Sequence, residues 1–228
     1  MGWIQSALSV FEDKRELLDP ACFDDALALQ IDWTPLVRGG NNFCTHRARL
    51  RKGLMASTLT FEVTPLVMLV CSAIVLFGVV MSIGHLLVTP SVAQAPLMAI
   101  APLAFSGMAG YFIWHMRRLQ VCFDQANQVF IQRGRATPLR EVHSLQLLRE
   151  FVRGNKNSYD SYELNLVCRD GRRLNVTDHG ALHAIRDDAR TLAGYLRVPI
   201  WDAIDLRLPE HLQKLDAKHE LLRMNLFP

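Results

Sequence analysis

The sequence is poor in what marks an enzyme, a metal protein or a nucleic-acid binder. Its five cysteines, Cys22, Cys44, Cys71, Cys122 and Cys168, are scattered without CxxC or zinc-like spacing, which excludes a zinc ribbon or a redox pair. There is no GxSxG, no GxGxxG and no P-loop. The segment RGGNN at Arg38 has glycines but lacks the lysine and hydroxyl that grip a phosphate. Asp178, His179 and His183 place two histidines four apart beside a carboxylate, but the glutamate of HExxH is missing, and a helix cap with two solvent-facing histidines accounts for the same residues. A net charge of +3 without an isolated basic block argues against a nucleic-acid partner. No catalytic residue, cofactor or metal ligand is assigned, and a non-enzymatic protein is expected.

Charge is also missing from two long stretches, 63–88 and 93–114, which contain no Asp, Glu, Lys or Arg. A bilayer core about 30 Å thick needs about 20 apolar residues in helical form, and both stretches reach that length. The expectation is two transmembrane helices, 63–88 and 93–115, joined by a turn too short to hold a domain. Gly78 and Ser82, and likewise Ser106 and Gly110, stand four apart, the spacing at which small residues let helix backbones approach inside lipid. An intrachain hairpin is the simpler use of these faces; a homo-oligomer is the alternative.

Arg47, Arg49, Arg51 and Lys52 precede the first apolar stretch, and Arg117 and Arg118 follow the second. Such flanks stay in the cytoplasm. With no cleavable signal peptide in view, the expected location is a bacterial inner membrane, multi-pass, with both termini cytoplasmic.

The remainder reads as soluble elements. Residues 1–40 form a leader with an amphipathic helix, 41–62 a strand pair running into the membrane, and 206–228 a C-terminal amphipathic helix. Between 117 and 205 come β-like runs, RLQVCFDQANQVFIQRG, VHSLQLLREFVR and SYELNLVCRDGRRLNV, the last folding at Asp170-Gly171. The period then changes, and Leu182, Ile185, Ala189, Leu192 and Leu196 share one helical face.

A hairpin followed by meandering strands and a closing helix resembles bacterial two-transmembrane-helix proteins with a pleckstrin-homology-like cytoplasmic domain. The implied fold class is an α+β membrane protein: a two-helix hairpin plus an antiparallel β domain closed by a helix. The resemblance implies scaffolding, or binding of protein or lipid surfaces, with the bilayer and a protein as partners. The side chains available for such contacts are Arg133, Arg135, Arg149, Arg153, Tyr159, Tyr162, Arg172 and Arg173. A membrane-embedded immunity or regulatory protein and an accessory subunit of a membrane enzyme are the alternatives.

Overall fold

The computed structural model describes residues 15–40, 42–53, 56–88, 95–152 and 158–209, with side chains of the second helix described from residue 99. Both terminal amphipathic helices expected from sequence lie largely or wholly outside these residues. The chain forms two units, one built from Met1–Asn42 with Glu141–Pro228 and the other from Phe43–Arg140.

In the Phe43–Arg140 unit, β1 (His46–Lys52) and β2 (Ser57–Val63) form a hairpin, and β2 leads into helix α1 (Pro65–Val88). Pro65 sits at the first helical position, where its missing N–H leaves nothing unsatisfied. Helix α2 (Ala95–Arg118) follows, then the short strands β3 (Val121–Asp124), β4 (Val129–Gln132) and β5 (Arg135–Pro138). Since β3 pairs with β2, the two helices are an insertion between neighbouring strands of a five-stranded antiparallel sheet, ordered β1 to β5. Period-2 alternation puts Leu59, Phe61, Val121, Phe123 and Phe130 on one face, all buried, and the rings of Phe123 and Phe130 pack tilted at 35° with centroids 4.7 Å apart.

The other unit is built on β6 (Val142–Val152), β7 (Tyr159–Cys168) and β8 (Arg173–His179), a meander whose β7–β8 turn places Gly171 at φ +81, where glycine carries no Cβ penalty. Helix α3 (Leu182–Leu196) crosses the sheet, and β9 (Ile200–Asp202) returns to lie parallel to β6. One sheet face carries Leu145, Leu147, Leu164 and Leu166 toward the Ile185, Ala189 and Leu192 side of α3. The opposite face is covered by a strap from the N-terminal segment, anchored where Phe23 stacks on Trp33 at 5.0 Å and Trp33 meets Trp201 at 6.1 Å.

These observations correct the fold class. Among the described residues only α1 is both long and apolar enough to cross a membrane. Helix α2 is less apolar than α1, with Pro102 inside it and His115, Arg117 and Arg118 in its last turn. The two-span hairpin is therefore withdrawn, and with it the multi-pass inner-membrane location with both termini cytoplasmic, which rested on two spans. Nor do the strands make one antiparallel domain closed by a helix. They divide between two sheets in two units, and β9 makes one sheet mixed.

Candidate functional site

Helices α1 and α2 pack antiparallel through their small residues. Ser82 Oγ lies 2.7 Å from the Gly78 carbonyl oxygen and 3.2 Å from that of Ala99, and Ser106 Oγ lies 3.1 Å from the carbonyls of Val75 and Pro102. Each hydroxyl thus bridges the two helices while satisfying its own proton locally. A Cβ at Gly78 would collide with Ser106 Oγ and come within 2.6 Å of the Pro102 carbonyl. Of the four small residues expected to mediate packing, the structure brings Gly78, Ser82 and Ser106 together, whereas nothing lies within 4 Å of a Cβ placed at Gly110.

The large side chains point the other way. Leu66, Phe77 and Leu87 on α1 are 70%, 68% and 80% exposed, and Ile100, Phe105, Met108 and Tyr111 on α2 are exposed as well. Among the described residues, those buried on the pair are Cys71, Gly78, Ser82, Ala99, Ser106, Ala109 and Met116, of which only Met116 is large. A helix facing water on its outside carries the opposite pattern.

Where the helices meet the sheet, their ends are tied to the start of β1. Thr64 N donates to Thr45 O at 2.9 Å, and Thr64 Oγ donates to the Cys44 carbonyl at 3.2 Å. His46, buried, lies with Nε2 3.0 Å from the Met116 carbonyl oxygen and Nδ1 3.0 Å from Thr45 Oγ. The Nε2-protonated tautomer donates to the carbonyl and accepts from the threonine. Beside this junction Tyr111 packs against Trp114 and His115, and the Arg118 guanidinium lies over the Trp114 ring at 3.9 Å, a cation–π contact.

Charge is divided unequally along the chain. Segment 43–140 holds nine Arg and Lys but only two acids, Glu62 and Asp124, an excess of seven. The rest of the chain holds sixteen basic and twenty acidic residues out of the totals of 25 and 22. Glu62 is taken up by Arg51, and Asp124 accepts from Ala126 and Asn127 in its own turn, which holds its carboxyl below the usual range.

Of the side chains expected to make partner or lipid contacts, Arg133 and Arg135 lie exposed at the β4–β5 turn. Those in the other unit are engaged internally. Arg149 holds Asp160 through two bonds of 2.8 and 2.6 Å, Arg172 is paired with Asp170 and Glu141, and Tyr159 donates to the Gly40 carbonyl at 2.9 Å. Tyr162 is buried in β7, and Arg153 lies outside the described residues.

Arg173, half-buried, donates to Thr34 O at 2.8 Å and to Asp32 and Gln146 at 3.2 Å. Burial pulls its guanidinium down from its ordinary value, against the opposing pull of Asp32 and Glu163. Of the two histidines expected to face solvent, His183 on α3 does, but His179 is fully buried, and α3 begins after Ala181, with no side chain capping it. No group of three or more His, Cys, Asp or Glu gathers as a metal set among the described residues.

No family model matches the chain, and no curated protein is significantly similar to it.

Sequence reasoning missed one buried polar cluster. Glu163, only 2% exposed, accepts from the backbone N–H of Leu36 at 2.9 Å and Val37 at 3.2 Å, and Glu150 accepts from Gly39 at 3.0 Å and Gly40 at 3.4 Å. Burial raises the Glu163 carboxyl above its ordinary value, with Asn165, the two amides and Arg173 opposing. The polar beat of Ser161, Glu163 and Asn165 in β7 reads as a solvent face, and no local signal reveals that a strap more than a hundred residues away covers it.

Proposed function

We propose that this chain is a non-catalytic binding protein held at a lipid bilayer, with α1 entering the apolar phase and α2 packed along one flank. The observation that supports this reading is the inverted helical pair, with small hydroxyl-bearing residues inside and Leu, Phe and Met outside. Fully burying a Leu or Phe side chain in an apolar phase is worth about 1.5–3 kcal/mol, so the largely exposed Leu66, Leu69, Leu76, Phe77 and Leu87 of α1 favour lipid. The aromatic and cationic residues at one end, Tyr111, Trp114 and Arg118, have the amphipathic chemistry of the headgroup boundary. The Met1–Asn42 and Glu141–Pro228 unit, net acidic and with Arg149, Arg172, Arg173, Arg186 and Arg190 paired to carboxylates, suits contact with a protein better than contact with an anionic surface.

The test is flotation of the full-length protein after reconstitution with phosphatidylcholine vesicles. Co-flotation that survives a high-salt wash, and that falls in a Leu69→Glu/Leu76→Glu variant, is expected. Recovery of unmodified protein in the lipid-free fraction, folded and unaggregated, would overturn the reading.

A further inference from the structure

The strand register of the helix-bearing unit gathers residues that are remote in sequence. Strand β2 runs toward α1, and β3 runs away from the end of α2, so one end of the sheet is the end from which both helices emerge. At that end β1 begins, with Arg47 opposite Glu62, three residues before Pro65. Strand β4 runs back to the same end, Gln132 facing Val121. The β4–β5 turn that follows, Arg133 and Gly134 with φ of +48 and +77, is therefore level with the two residues linking α2 to β3, and Gln132 pairs with Arg135 across it. Arg47, Arg117, Arg118, Arg133 and Arg135 thus share the helix-proximal rim, while Asp124 lies at the opposite end of β3.

The rim is short of counter-charge. Glu62 is the one acid at that end among the described residues, and it bonds to Arg51 and Thr60. Among the described residues none of Arg117, Arg118, Arg133 and Arg135 has a carboxylate within ion-pair distance, whereas Arg149, Arg172, Arg173, Arg186 and Arg190 in the other unit each do. Arg118 is braced from one side by Trp114, which leaves its N–H edges available to a bidentate acceptor.

We infer that this arginine rim is a binding site for the phosphates of anionic lipid headgroups, encircling the point where the apolar helix enters the bilayer. The inference rests on the lipid reading above and adds to it the class of lipid. Arg117, Arg118, Arg133 and Arg135 held at an anionic surface, each worth on the order of 1 kcal/mol, correspond to about a fivefold preference per residue.

The experiment partitions the full-length protein between neutral phosphatidylcholine vesicles and vesicles containing phosphatidylglycerol, at low and at high salt. The expected result is binding to both, with a preference for the anionic vesicles of a hundredfold or more that shrinks with salt. Arg117→Gln/Arg118→Gln/Arg133→Gln/Arg135→Gln abolishes the preference but leaves binding to neutral vesicles. The same four positions changed to Lys retain most of the preference, and Arg149→Gln, a control in the other unit, changes nothing.

Equal binding to both vesicle types, or a preference that survives the fourfold Gln substitution, would overturn the inference while leaving the lipid reading intact. Absence of binding to any vesicle would overturn both. Inorganic phosphate at matched ionic strength should compete no better than chloride; specific displacement by phosphate would assign the rim to a soluble phosphoryl ligand instead of a membrane.

Discussion

Helix α3 and the α1–α2 pair sort their side chains oppositely. In α3, Ile185, Ala189 and Leu192 are buried against the sheet, and Arg186, Asp187 and Arg190 stand outward, in ion pairs with Asp202 and Asp205 and with each other. In the pair, Gly78, Ser82 and Ser106 are inside and Leu66, Leu69, Phe77 and Leu87 outside. The first arrangement minimises apolar area in water, and the second minimises the distance between two backbones and leaves the apolar area for something else to cover. The contrast extends to charge: Arg149, Arg172, Arg173, Arg186 and Arg190 in the unit containing α3 are ion-paired, whereas Arg117, Arg118, Arg133 and Arg135 in the unit containing the pair have no carboxylate at ion-pair distance among the described residues.

The sharpest way to break the comparison is to truncate a large side chain in each. Leu192→Ala, at a fully buried position, should lower the unfolding free energy of its unit by about 2–5 kcal/mol in denaturant titration followed by tryptophan fluorescence. Leu87→Ala, at an 80% exposed position, should leave that titration unchanged and weaken retention on neutral vesicles. Equal losses of stability at both positions would mean that α1 is packed against protein in the folded chain.

The next effect is steric. Gly78→Val should cost about 1–3 kcal/mol by forcing Ser106 and the Pro102 carbonyl away, detectable as faster proteolysis of the helical pair, while Gly84→Ala, with nothing within 4 Å of the added methyl, should be silent. Matching behaviour of the two variants would remove Gly78 from the packing face.

An effect of similar size tests the buried carboxylate. Glu163→Ala should destabilise its unit by about 1–3 kcal/mol, because the Leu36 and Val37 amides lose their acceptor under the strap. Since burial raises the Glu163 carboxyl above its ordinary 4.5, its contribution is fully present below that value and is lost as pH rises through the folded value. Asp25 has the opposite sign: the hydrogen bond from His143 holds its carboxyl below 3.8, so its contribution is present above 3.8 and lost as pH falls through the folded value. Glu163→Gln should therefore gain stability relative to the parent as pH is raised from 4 to 7 in urea titrations, and a parallel pair of pH profiles would show that Glu163 is not desolvated.

Much of this molecule was already determined by the chain itself, wherever a property depends on neighbours a few residues apart. The two uncharged stretches dictated α1 and α2, the spacing of Ile185, Ala189 and Leu192 dictated the buried side of α3, and Asp170-Gly171 dictated the β7–β8 turn. Only the tertiary structure decided what depends on pairing across long separations. It placed β3 beside β2 across the whole helical insertion, brought Arg133 and Arg135 level with Arg47, Arg117 and Arg118, and laid the Leu36–Val37 amides on Glu163. An alternating strand looks the same whether its polar face meets water, an incoming segment or a headgroup, because alternation encodes which side a residue faces and not what lies there.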